Sequence, residues 1–262
     1  MKSTLKLLTA AIVSLAFAGA AAGQAIFPDT YWGGQPTNPV YKDVVGSFDT
    51  FDLSHVETTV SGASVTINIY GNYFDNILSG EDLFKTTMGD LFISVDGLAY
   101  NDVEADTLDD YFQSPTSYTT WEYAVRLGTY YNMNGVLDDE AVQFGTVHAI
   151  TENDVVLTTP NGYTNYRANQ EWQIDPESRI VGGATWYIGS TGDGPNSNFL
   201  SIIIEDFGNI IGLPTDSAIH WTMSCGNDVV ETPIVPEPST IGILGAAGMA
   251  VLLVVRRRFT RK

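Results

Sequence analysis

Carboxylates at alternate positions are the residues here whose spacing points most directly to chemistry. Asp102, Glu104 and Asp106 are followed by Asp109 and Asp110. Hard oxygen ligands two residues apart wrap a calcium ion in a single loop, so the first three are the predicted ligands of a calcium site. The match to an EF-hand is partial: its sixth position is Thr107 instead of glycine and its twelfth is Gln113 instead of glutamate. The competing reading is a solvated acidic loop. Weaker candidates of the same kind are Asn132, Asn134, Asp138, Asp139 and Glu140, and the glycine loop carrying Asp193, Asn196 and Asn198. Enzyme chemistry finds little support. His55, His148 and His220 stand far apart with neither HExxH nor CxxC company, and no GxSxG marks a nucleophile elbow. No catalytic residue is assigned, and the chain is expected not to be an enzyme. Its 5 Trp and 13 Tyr supply flat amphipathic rings suited to sugars wherever they are exposed, although Trp121 and Trp186 sit in strand patterns that predict burial.

The elements that would carry these residues are short and alternate with period two. Val65, Ile67 and Ile69 share one side of SVTINIYG, as Leu91, Ile93 and Val95 do in GDLFISVDG. In WEYAVRL, Trp121, Tyr123, Val125 and Leu127 oppose Glu122, Ala124 and Arg126. Turn signals such as Asn134-Gly135, Asn161-Gly162 and Gly182-Gly183 separate such runs. No long stretch has helical periodicity, although Val103 to Phe112 has room for one or two turns. The fold class is therefore all-β, an antiparallel β-sandwich of jelly-roll or concanavalin-like type. The one cysteine, Cys225, rules out an internal disulfide and reads as a packed thiol, so the core alone must hold the fold.

Both ends of the chain carry targeting patterns. Lys2 and Lys6, an apolar core from Leu7 to Ala18, and small residues from Gly19 to Ala25 make a secretory signal peptide, with cleavage after Ala22 or after Ala25. At the other end, Pro236, Glu237, Pro238 and Ser239 form a short extended segment. An apolar run from Ile241 to Val255 follows, and then Arg256, Arg257, Arg258, Arg261 and Lys262. A spanning helix wants about 20 apolar residues, so this transmembrane helix is marginal. The positive-inside rule puts the arginines in the cytoplasm and the body outside the inner membrane.

The order VPEPST, apolar helix, RRR resembles the PEP-CTERM sorting signal of Gram-negative bacteria. That resemblance implies processing by exosortase at the Pro236 to Ser239 segment and delivery to the cell surface or to extracellular polysaccharide. GDLFISVDGL, WEYAV and HWTMSCGNDVVE bear a looser likeness to surface proteins of the same kind, which adds no catalytic residues. The expected organisation is a signal peptide at 1–25, an ectodomain at 26–233 and the sorting signal at 234–262. The ectodomain sets five lysines and arginines against 30 aspartates and glutamates, a formal charge near −25. Nucleic acid and anionic lipid are repelled by such a body, while divalent cations, calcium among them, are its natural counter-ions. The expected role is an exported structural protein of the cell surface, extracellular matrix or biofilm. The alternative is a carbohydrate-binding module of that matrix, with a glycan-active enzyme behind it.

Overall fold

A computed structural model describes residues 23–29, 44, 47–79, 86–98, 119–127, 142–157, 170–192, 194–212, 217–226 and 228–234. In chain order these form β1 (Gly23–Pro28), α1 (Phe48–Phe51), β2 (Leu53–Ser61), β3 (Ser64–Gly71), α2 (Asn72–Ser79), β4 (Leu91–Ser94) and β5 (Tyr123–Arg126). There follow β6 (Gln143–Ala149), a 3-10 turn (Glu152–Asp154), β7 (Val155–Leu157), β8 (Glu171–Ile174), β9 (Arg179–Ser190), β10 (Asn198–Ile204), α3 (Phe207–Ile210), β11 (Ala218–Thr222) and β12 (Val229–Pro233).

The all-β, antiparallel expectation holds, but the layering differs from two separate facing sheets. Ten strands form one continuous ladder in the order β1-β2-β3-β10-β9-β6-β5-β4-β11-β12, and β7 and β8 make a separate two-stranded sheet. Twist accumulates across ten strands, and a sheet this wide curls unless something flattens it. Here it rolls until β12 packs against β2. The seam is tied by Asp228, whose Oδ2 accepts the Leu53 amide at 2.7 Å and whose Oδ1 accepts the Val229 amide at 2.9 Å. The result is close to a barrel around one main core.

Strand alternation fills that core. Val65, Ile67 and Ile69 of β3, Leu200, Ile202 and Ile204 of β10, and Ala184, Trp186 and Ile188 of β9 all turn inward. On β2 the inward set is Val56, Thr58 and Val60, which leaves Leu53 on the wrong parity. A register shift between Leu53 and His55 corrects it, and Leu53 is buried in the core. One end of the core is filled from α2. Its Tyr73 and Phe74 sit 6.0 and 5.4 Å from the ring of Trp221, whose Nε1 donates to Gly89 O at 3.0 Å.

A second, smaller core lies on the outer face of β4, β5 and β11, where the β7–β8 hairpin covers it. Phe92, Trp121, Ala124, Ile150 and Ile174 meet there. Trp121 therefore departs from the predicted inward set of Tyr123, Val125 and Leu127. It precedes β5, so strand alternation does not bind it, and it packs outward against Phe92. Val95 likewise lies beyond the end of β4, where its amide donates to Glu122 Oε2 at 2.9 Å. Gly89 is what lets hairpin and sheet close up: a Cβ there would overlap the carbonyl oxygens of Thr222 and Trp172. The predicted turns over Val103 to Phe112 lie outside the described residues. Sequence periodicity missed α2, because eight residues give too few repeats to separate a helix from the strand before it.

Candidate functional site

Three parts of the fold gather polar chemistry. The first ties the hairpin to the sheet. Asp90, 3% exposed, accepts the Leu127 amide at 2.9 Å and the Ile174 amide at 3.0 Å, while its own amide donates to Trp172 O at 2.7 Å. Burial pushes its carboxyl up to about 6, against the pull of those two amides and of Arg126. Beside it His220, fully buried, has both ring nitrogens engaged: Nδ1 with Glu231 Oε1 and Nε2 with Glu171 O, each at 2.8 Å. Both partners are acceptors, so an imidazolium satisfies both, whereas a neutral ring donates to one only. Burial lowers the His220 pKa, but the Glu231 carboxylate and Glu171 outweigh it and the net direction is upward. Burial raises Glu171, opposed by His220. The rings of Phe92 and Trp121 close over His220 at 5.9 and 5.5 Å. His220 is 0% exposed, and its bonds to Glu231 and to the Glu171 carbonyl join β11 to β12 and to the covering hairpin.

The second part is the connection from β9 to β10. Asp75 of α2 accepts the amides of Asn196 and Asn198 through its two oxygens, at 3.2 and 3.0 Å, and Asn72 Oδ1 accepts the Asn196 amide at 3.1 Å. Burial raises the Asp75 carboxyl, opposed by those amides. Asn196 and Asn198, weighed in the sequence as calcium ligands, thus serve through their backbone to pin this loop to α2. Among the described residues no group of three or more His, Cys, Asp or Glu is placed to hold a metal ion. Asp102, Glu104 and Asp106, the predicted calcium ligands, lie outside the described residues.

The third part is an open groove of about 700 Å³ between β9 and α3. Phe144, 86% exposed, stands at one side, with Thr185, Glu205, Asp206 and Asn209 around it. Neighbouring it on the same outer face is a cross-strand ladder of rings: His55 on Tyr70 at 4.3 Å, Tyr70 on Phe199 at 4.9 Å, and Phe199 on Tyr187 at 6.1 Å. The last two rings lie over Gly189, where a side chain would displace them. These rings pack on one another, whereas Phe144 is the most exposed of the large hydrophobic side chains among the described residues. Trp121, Trp186 and Trp221 are all buried, as strand patterning predicts for the first two. Phe144 was missed because it sits in an ordinary strand pattern, VQFGTVHAI, whose outward side carries no distinguishing signal.

The described fold begins inside the 1–25 span expected for the signal peptide and ends directly before the C-terminal pattern. β1 is described from Gly23, and Ile234, 2% exposed, is the last described residue, its amide donating to Ser217 O at 2.6 Å. Directly after it, residues 235–258 match the PEP-CTERM protein-sorting motif. Such a motif indicates exosortase-dependent sorting of an exported protein. The chain carries this sorting motif in its C-terminal segment. The match takes in Pro236, Glu237, Pro238 and Ser239 together with Arg256, Arg257 and Arg258, all outside the described residues. Among the described residues no helix is long and apolar enough to cross a membrane; the apolar run at 241–255 lies beyond them. No curated protein and no solved structure matches the chain.

Proposed function

We propose that this is a non-catalytic structural protein of the extracellular matrix, brought to the inner membrane by its signal peptide, held there by its tail and released by exosortase. The observation that carries the reading is the sorting motif beginning directly after Ile234, a buried residue and the last one described. From 235 to 240 the chain has six residues before the apolar run, a reach of about 20 Å when extended. The anchored body is thereby held close to the membrane. Near −25, the body is repelled by anionic headgroups over a Debye length of about 8 Å, which favours departure once the tether is cut. The test is fractionation of a Gram-negative host that carries exosortase and makes extracellular polysaccharide. The full chain is expected in the matrix fraction and a chain truncated after Ile234 in the soluble exported fraction. Equal recovery of both in the matrix would remove the sorting signal from the account.

A carbohydrate-binding role within that matrix is favoured by one specific observation, the groove at Phe144. A bare aromatic face beside a hydroxyl, an amide and two carboxylates suits a sugar ring, with stacking on Phe144 and hydroxyls bonded by Asp206, Glu205 and Asn209. The carboxylates select neutral saccharides over anionic ones. In gels cast with neutral glucans or mannans the wild type is expected to be retarded, and Phe144→Ala to migrate freely. Retardation that persists in Phe144→Ala assigns binding elsewhere, and retardation by alginate alone contradicts the electrostatics.

A further inference from the structure

The sequence offers signal peptidase two bonds, Ala22–Gly23 and Ala25–Ile26, and small residues stand three and one before each. We infer that the bond cut is Ala22–Gly23; the inference rests on the N-terminal segment being a signal peptide. Water adds across that peptide bond, leaving the carboxylate on Ala22 of the leader and the α-ammonium on Gly23 of the mature chain.

The argument is the register of β1. Gly23, Gln24 and Ala25 pair with Val60, Thr59 and Thr58, and Ile26, Phe27 and Pro28 with Glu57, Val56 and His55. A cut after Ala25 deletes the first three of the six residues of this edge strand and uncovers the edge of β2 from Thr58 to Val60. Thr58 is 1% exposed and Val60 packs against the main core, so the segment laid bare belongs to the interior of the fold. It would also present unpaired amides and carbonyls along a β-branched strand, the template on which other chains add. A cut after Ala22 keeps all six described residues of β1 in the ladder. The small residues Gly23 and Ala25 thus serve as strand residues, and their likeness to a cleavage signal is incidental to their size.

The test is N-terminal sequencing, with intact mass, of the full-length protein recovered after export. Gly23 as the first residue is the expected result. Ile26 would overturn the inference and leave the signal peptide standing; Met1 on exported protein would overturn the signal peptide itself. A second variant, Ala22→Leu, places a large side chain directly before the inferred bond. The Gly23 terminus is expected to vanish, with uncut precursor or an Ile26 terminus in its place. An Ile26 product is expected to melt at a lower temperature than wild type and to aggregate sooner. A mature terminus at Gly23 unchanged by Ala22→Leu, or an Ile26 product as stable as wild type, contradicts the assignment.

Discussion

Asp90 concentrates the interior chemistry of this molecule in one side chain. It alone bonds the amides of both Leu127 and Ile174, residues of the sheet and of the covering hairpin. Asp90→Ala leaves two buried amides without acceptors, and a loss of roughly 2–4 kcal/mol in urea-measured stability is expected. The same residue sets a pH dependence. Its carboxyl lies above the ordinary 3.8 in the fold, so the folded state holds the proton more tightly than the unfolded chain does. That contribution is present below 3.8 and is lost as pH rises through about 6, a cost of about 3 kcal/mol at neutrality. Asp52, Asp75, Glu122 and Glu171 are raised by burial too and act in the same direction. His55 and His148 are lowered by burial and oppose it as pH falls below 6.5. Melting is therefore expected at a higher temperature at pH 5 than at pH 8, with the difference reduced in Asp90→Ala. A melting temperature that rises from pH 5 to pH 8 contradicts this.

At the level of elements, closure depends on the seam where β12 meets β2. Asp228→Ala removes the acceptor from the buried Leu53 amide and is expected to cost roughly 1–3 kcal/mol. Hydrogen exchange should quicken in β12 and at the start of β2 before it does in β9 and β10. Uniform quickening across the sheet would mean that the seam is no separate unit. Much of this architecture was legible in the sequence. The period-two run of β3 lies where alternation put it, whereas Gly182-Gly183, expected to be a turn, lies inside β9 and pairs there with Val147 and Thr146. The closure was hidden, since Asp228 reads as one more acid in an acidic chain until folding brings it against Leu53. The hairpin cover was hidden for a similar reason. Phe92 and Ala124 face outward in a strand pattern, and only the arrival of β8 turns that face into a second core. Of the candidate sites, the sorting tail was readable because its order of parts is linear in the chain. The Phe144 groove was not, because Phe144 and Asp206 become neighbours only through the β6–β9 pairing and the helix after β10.

For the whole molecule, β1 and β12 lie at opposite edges of one rolled sheet, and in the proposed account two processing steps flank it, signal-peptide cleavage ahead of β1 and exosortase cleavage past β12. The account stands or falls on the second of these. Intact-mass measurement of the extracellular protein, made in a host with exosortase and again in the same host lacking it, reads it directly. With exosortase present, the mature protein is expected to end before Arg256 and to lack Arg256 to Lys262; without it, the full tail is expected to remain with the membrane fraction. Extracellular protein that still carries Arg256 to Lys262, or tail removal that proceeds equally well without exosortase, would contradict the account.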